Sequence, residues 1–215
     1  MNYTLEYKDL SYKAYIQLKE LILSGELKPG EKIAQESIAQ KLGISRMPLH
    51  KAFQMLENEM LVESVPRRGI FVKGNDLKII ADAFECREAI ESVASRKLAM
   101  EATEEDFDQL QKLFEPFLDD PANANLEQYQ EADHEFHTLI IKLTGNSILM
   151  KMEVLGNVLI NSYRHGLIRS PEETLPEHFA IIDAMRNRDA DLAEKLIRQH
   201  SVLSRKQVLD QMEKG

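Results

Sequence analysis

The sequence predicts a mainly α-helical protein with two modules: a three-helix module with a small β-hairpin, and an all-helical bundle. Apolar residues recur at helical spacing through most segments, between breakers rich in Gly, Pro, Asn and Asp. The charge balance also changes along the chain. Residues 1–74 carry 11 Lys and Arg against 9 Asp and Glu, whereas residues 75–215 carry 16 against 27. The predicted domains are therefore 1–74 and 75–215, divided at Gly74-Asn75-Asp76.

The composition limits the class of protein. The 215 residues are 43% hydrophobic and 29% charged, as in an ordinary globular protein with a sizeable core. The single cysteine, Cys86, excludes a disulfide framework, and we expect it to be buried or partly buried. The first residues show no basic stretch followed by an apolar run, and no segment has membrane-spanning length. We therefore expect a cytoplasmic protein without a membrane partner.

The first module reads as helix, helix, tight turn, helix and hairpin. Residues 11–23 and 35–42 have helical periodicity, and Gly43 follows the second helix as a left-handed cap. Ser45 is a suitable N-cap for a third helix, in which Pro48 is tolerated because it lies in the first turn. Residues 61–65 and 70–72 are β-prone and are joined by Pro-Arg-Arg-Gly.

Two helices joined by a short turn can place the second helix in the DNA major groove, where all four base pairs are distinguishable. The predicted DNA-binding residues lie at the start of the third helix and at the hairpin tip: Ser45, Arg46, His50, Lys51, Arg67, Arg68 and Gly69. The pattern alone leaves a second interpretation open. Any three-helix bundle with scattered surface arginines would look similar.

The second module reads as helix throughout. The six predicted helices cover about 77–101, 104–118, 125–144, 147–166, 174–187 and 189–212. In the third of these, Asp133 and His137 fall on the apolar stripe one turn apart, while His134 falls on the polar side. His178 and His200 share the apolar faces of the last two helices.

Four polar groups therefore point inward from three helices. A buried carboxylate without a partner is costly, and a divalent cation shared with three imidazoles would remove that cost. Zn or Ni are the first candidates for such a donor set, with Co, Fe or Mn as alternatives. The competing interpretation is a set of hydrogen-bonded core residues, since an isolated inward histidine is usually structural.

The first module resembles a known family. The segments "LSGELKPGEKI", "LGISRMPLHKAF", "LENEMLV" and "PRRGIFV" resemble the winged helix-turn-helix domain of the GntR family of bacterial transcriptional regulators. The resemblance implies operator binding by residues of the third helix. His50 stands where the family pattern has a second arginine, and Glu36 stands where a contacting arginine is frequent. We therefore expect a different operator sequence or weaker binding.

The second module extends the resemblance. "EADHEFHTLI" and "PEHFAIIDAMRNRDADLAEKLIRQH" are similar to the FCD-type effector domain of the FadR subfamily, in its six-helix, VanR-like variant. Many members of that domain bind a metal through one aspartate and three histidines. The resemblance carries these roles to Asp133, His137, His178 and His200.

Three further residues are predicted to contact an effector. Arg87 lies on an inward stripe, and an arginine near a metal is suited to hold a carboxylate in a bidentate contact. The rival interpretation of Arg87 is an ion pair with a neighbouring glutamate. Asn161 and Arg164, with Asn157, form a polar stripe that lines either the pocket or the solvent face.

These features together predict a ligand-responsive transcriptional regulator, a repressor, that binds a short inverted repeat as a homodimer. Its second module would hold a divalent metal and a small organic acid. One alternative is a purely structural metal with no effector. A metal-dependent enzyme fused to a DNA-binding module is disfavoured, because no convincing general base accompanies the four predicted ligands.

Overall fold

The computed structural model describes residues 6–74, 76–153, 158–159 and 169–214. The chain divides into two compact units, Met1–Asn75 and Asp76–Gly215, and each is described separately below. The predicted effector residues Asn161 and Arg164, and Asn157 beside them, lie outside the described residues.

The first unit contains three helices and a two-stranded antiparallel sheet. Their bounds are α1 Glu6–Leu23, α2 Gln35–Leu42, α3 Arg46–Asn58, β1 Val62–Val65 and β2 Gly69–Val72. The core lies between α1 and α3, where Leu18, Ile22, Phe53 and Leu56 are almost fully buried. Gly43 ends α2 in the left-handed conformation, at φ 63°. Ser45 occupies the N-cap position of α3 as predicted, but its side chain makes no capping hydrogen bond.

The tip of the hairpin is a defined β-turn. Val62 pairs with Val72 and Val65 with Gly69, and the amide of Arg68 donates to the carbonyl of Val65 at 3.0 Å. Arg67 has φ 63°, which fits the third position of a type II turn whose second position is Pro66. The sequence between the strands therefore projects two arginines at the end of the hairpin.

All regular secondary structure among the described residues of the second unit is helical. The α-helices whose bounds lie within the described residues are α4 Leu77–Glu101, α5 Glu104–Lys112, α6 Leu126–Leu143, α7 Ser147–Met150, α8 Pro171–Arg186 and α9 Ala190–Met212. Short 3-10 turns occur at Glu115–Phe117, Pro121–Asn123 and Lys151–Glu153. Side-chain caps start several of these helices; Asn125 accepts from the amide of Gln128 at 3.1 Å.

The long helices α4 and α9 pack most extensively against each other, while α6 and α8 contribute to a shared apolar core. Aromatic side chains fill one part of this core. Phe107, Phe114, Tyr129 and Phe136 are completely buried in it. The inward faces of α6, α8 and α9 are the ones on which the predicted metal ligands lie.

The mainly α fold class with a small hairpin is confirmed, but several details differ from prediction. The helix predicted over 147–166 is interrupted after Met150 by a 3-10 turn at Lys151–Glu153. Two helices begin earlier than predicted: α1 at Glu6 and α8 at Pro171, because proline is tolerated at the first helical position. The helix predicted over 104–118 ends at Lys112, because Pro116 disfavours helical backbone before it and lacks an amide donor.

Cys86 is exposed rather than buried, since it shares a stripe of α4 with the exposed residues Asp82, Glu85 and Ala89. No helix among the described residues is both long enough and apolar enough to cross a membrane.

Candidate functional site

The four predicted metal ligands come together inside the second unit. Asp133 and His137 lie on α6, His178 on α8 and His200 on α9, and all four side chains are buried. Each offers one ligand atom, and these atoms all lie within 4.8 Å of one another. Oδ1 of Asp133 is 3.2 Å from Nε2 of His178 and 3.8 Å from Nε2 of His137.

The arrangement fits a transition-metal ion after a small contraction. Two ligands at bond lengths of about 2.1 Å are at most about 4.2 Å apart, so the Asp133 contacts already satisfy this limit. Nε2 of His137 and of His178 are buried and make no hydrogen bond to a described residue. Buried polar atoms normally have partners, so two inward ring nitrogens beside a carboxylate indicate a place for a cation.

The protonation states suit metal binding. Burial lowers the pKa of His178 to about 3, and burial together with the charge of Arg87 lowers the pKa of His137. Burial alone would raise the pKa of Asp133, but His137, His178 and Arg87 outweigh it and hold that pKa well below its usual value. Near neutral pH His137 and His178 are therefore neutral imidazoles and Asp133 is an ionised carboxylate, the forms that coordinate metals.

His137 is oriented from α4. Its Nδ1 lies 2.7 Å from Oε2 of Glu91, whose other oxygen accepts from Nε of Arg87 at 2.9 Å. All three side chains are buried. Burial would raise the pKa of Glu91, but His137 and Arg87 lower it, so the carboxylate stays ionised. An imidazole held in this way directs Nε2 towards the other ligands.

His200 has a second contact of the same type. Its Nδ1 lies 2.8 Å from Oε2 of Glu177, and both oxygens of Glu177 accept from Arg169 at 2.6 and 2.7 Å. Burial would raise the pKa of Glu177, but the hydrogen bonds from His200 and Arg169 lower it to about 2. Two of the three imidazoles are thus supported by an ionised glutamate that is itself paired with an arginine.

His178 is supported by uncharged groups. Its Nδ1 lies 3.3 Å from the hydroxyl of Tyr129, which is 2.8 Å from Oγ1 of Thr174. The ring of Phe114 stacks on the imidazole, with centroids 4.3 Å apart and planes at 11°. These contacts leave the ring little freedom, so its Nε2 is directed at Asp133.

Sequence reasoning selected the four candidate ligands that the structure brings together, but it missed the residues that support them. Glu91 lies four residues after Arg87, and Glu177 directly precedes His178, so these spacings were the available signals. The ion pair between Arg87 and Glu91 matches the rival interpretation of Arg87. His134 is partly buried instead of lying on a fully polar face, and burial lowers its pKa to about 4.

Most of the predicted DNA-binding residues surround one cleft of the first unit. Arg46 and His50 on α3, with Arg67, Arg68 and Gly69 at the hairpin tip, line this cleft. Ser45 and Lys51 are exposed on the same part of the chain but do not line it.

Two further contacts shape the cleft. Gly69 has φ 113°, and a Cβ there would lie 3.2 Å from Cε of Lys32. Nη2 of Arg46 donates to Oε1 of Glu36 at 2.6 Å, and both side chains are more than 80% exposed. The predicted DNA contact Arg46 is therefore paired with a carboxylate at the start of the preceding helix.

Comparison with known proteins matches both units. Residues 10–72 match the model of bacterial regulatory proteins of the gntR family, and residues 82–202 match the FCD domain. The chain is 26% identical over 190 residues to the HTH-type transcriptional regulator YdhC of Bacillus subtilis, covering 86% of this chain and 85% of that protein.

A second relative and a solved structure are also similar to this chain. The galactonate operon transcriptional repressor of Escherichia coli is 24% identical over 204 residues, covering 84% of this chain and 88% of that protein. A GntR crystal structure from Rhodococcus sp. RHA1 shares the fold, with a TM-score of 0.77, 19% identity and coverage of 93% and 97%. The family and these relatives are regulators and not enzymes, and the chain belongs to the GntR family as a DNA-binding transcriptional regulator with a C-terminal FCD domain.

Proposed function

We propose that this regulator is a metal-containing repressor that responds to a small organic acid. The observation that carries the proposal is the inward pair of imidazole nitrogens, Nε2 of His137 and of His178, beside the carboxylate of Asp133. With His200 they would hold one divalent transition metal. Zn or Ni suit this donor set first, with Co, Fe or Mn as alternatives.

A bound metal would supply a coordination position for a carboxylate. Three histidines and one aspartate leave positions open on a five- or six-coordinate ion. Arg87, which is held in place by its hydrogen bond to Glu91, would add a positive charge that attracts the carboxylate of the effector. Asn161 and Arg164 are proposed as further effector contacts. The galactonate operon repressor supports this class of ligand, because its name refers to a sugar acid.

The two domains would have separate functions. We assign residues 1–74 to operator binding and residues 75–215 to effector binding and dimerisation. A homodimer would read a short inverted repeat, with α3 of each subunit in the major groove. The effector changes DNA affinity only if it binds one dimer geometry more tightly than another.

Calorimetric titration tests the effector assignment. Galactonate and other small hydroxy acids would be titrated into the metal-loaded chain and into the same chain stripped with a chelator. We expect binding only to the loaded chain, with release of a selected operator duplex at saturating ligand. A metal that stabilises the fold while no acid binds would contradict the effector role and favour a purely structural metal.

A further inference from the structure

The paired side chains Glu36 and Arg46 lie at the amino ends of the two helices of the DNA-reading motif. Glu36 is the second residue of α2 and Arg46 the first of α3, and both line the cleft below the hairpin tip. We propose that Glu36 is a specificity-determining residue that fixes Arg46 for contact with a guanine and weakens binding to DNA of arbitrary sequence. The inference rests on this surface reading DNA and not on the metal site.

The first argument concerns orientation. The amino end of a recognition helix is the part that meets base edges, and arginine binds guanine through two parallel N–H groups. A guanidinium carries five N–H donors, so one bond from Nη2 to Glu36 is compatible with a bidentate contact. Arg46 is 84% exposed at its side chain, so without Glu36 it would sample many directions.

The second argument concerns charge. Binding that does not depend on sequence comes mainly from cations that neutralise phosphates and release counterions. The carboxylate of Glu36 cancels the charge of Arg46 and repels phosphate at the same point of the cleft. Glu36 therefore lowers the affinity for DNA of arbitrary sequence. At a site with a guanine in the right position, the hydrogen bonds from the oriented N–H groups of Arg46 restore the affinity.

Stability gives no competing reason for the pair. An ion pair between two side chains as exposed as these contributes little to the stability of the fold. The variant Glu36→Gln should therefore fold with an unchanged melting temperature, and its DNA binding can be measured without a folding defect. Glu20→Gln is the matched control, because Glu20 is an exposed carboxylate of the same unit that does not line the cleft.

The test measures two properties of the full chain. Fluorescence anisotropy gives the affinity for a duplex of random sequence as salt is varied, and sequencing of duplexes selected from a randomised pool gives the preferred site. We expect Glu36→Gln to bind random DNA about threefold to tenfold more tightly at low salt. Its salt slope should steepen by about 0.9, as for one added phosphate contact, and its selected site should lose a guanine.

A double variant separates Arg46 from general charge effects. In Glu36→Gln combined with Arg46→Gln, the gain in affinity for random DNA should disappear. The double variant lacks the guanidinium that the loss of Glu36 would otherwise make available to a phosphate. A gain that persists in the double variant, or wild-type behaviour of Glu36→Gln in both measurements, would overturn the inference. If the wild-type chain selects no sequence at all, sequence-specific reading itself fails, and the role of Glu36 fails with it.

Discussion

Nδ1 of His137 on α6 lies 2.7 Å from Oε2 of Glu91 on α4, so a residue outside the predicted ligand set orients the imidazole of a candidate ligand. Glu91 is in turn paired with Arg87 four residues earlier. This buried series connects the candidate metal centre to the first long helix of the second unit.

Glu91→Gln should weaken metal binding by about 10-fold to 100-fold, because groups that orient a ligand contribute by that amount. Metal competition with a chromophoric chelator measures the change. Glu101→Gln is the control: Glu101 also pairs with a cation four residues away on α4, but it is exposed. Equal metal affinity in Glu91→Gln and wild type would show that the contact does not orient His137.

The metal-free protein should lose stability on acidification. The pKa of His178 is about 3 in the folded chain and near 6.5 when unfolded, so between these values the unfolded chain binds a proton that the folded chain does not. Stability is thus highest above about pH 6.5 and falls as the pH decreases. The pKa of Asp133 is also lowered in the folded chain, so protonation of Asp133 causes a further loss of stability at lower pH.

Thermal unfolding in a chelator from pH 7 to pH 4 checks this expectation. His178→Gln removes the titrating group, so its melting temperature should depend less steeply on pH. Identical pH dependences for the variant and the wild type would contradict a buried, neutral His178.

Gly69→Ala should destabilise the first unit by about 1–3 kcal/mol, since a side chain at its positive φ is strained and would press on Lys32. Gly74→Ala is the matched control, because a Cβ there has no neighbour within 4 Å. Urea unfolding measures both variants. A Gly69→Ala protein as stable as Gly74→Ala would mean that the hairpin tip relaxes without cost.

His50→Ala should weaken binding to a selected operator by about twofold to tenfold, the effect of one lost hydrogen bond. His50 is exposed and lines the cleft beside Arg46. Gln17→Ala, an exposed change on α1 outside the cleft, is the control. Unchanged affinity of His50→Ala in an anisotropy titration would mean that the histidine makes no DNA contact.

Periodicity was sufficient for much of the fold and for the burial of the four candidate ligands. The helix predicted at 77–101 agrees with α4, and the one at 35–42 agrees with α2. The stripe on α6 predicted that Asp133 and His137 are buried neighbours, since residues four apart lie on one helix face.

Contacts between helices were not predictable in this way. The pairing of Glu91 with His137, and of Glu177 with His200, depends on how α4, α6, α8 and α9 pack. Periodicity predicts which face of a helix is buried, but it does not predict which other helix packs against that face. Cys86 was placed wrongly for a related reason: on a long helix with many small residues, the boundary of the buried face is poorly marked.

The metal content of the purified chain tests the central claim most directly. Elemental analysis would compare untagged wild type with His178→Ala and with His50→Ala, a histidine variant in the other unit. We predict about one transition-metal ion per chain in wild type and His50→Ala, and its loss in His178→Ala. A wild-type chain without metal, even after incubation with divalent ions, would contradict the account and make the four residues a polar core.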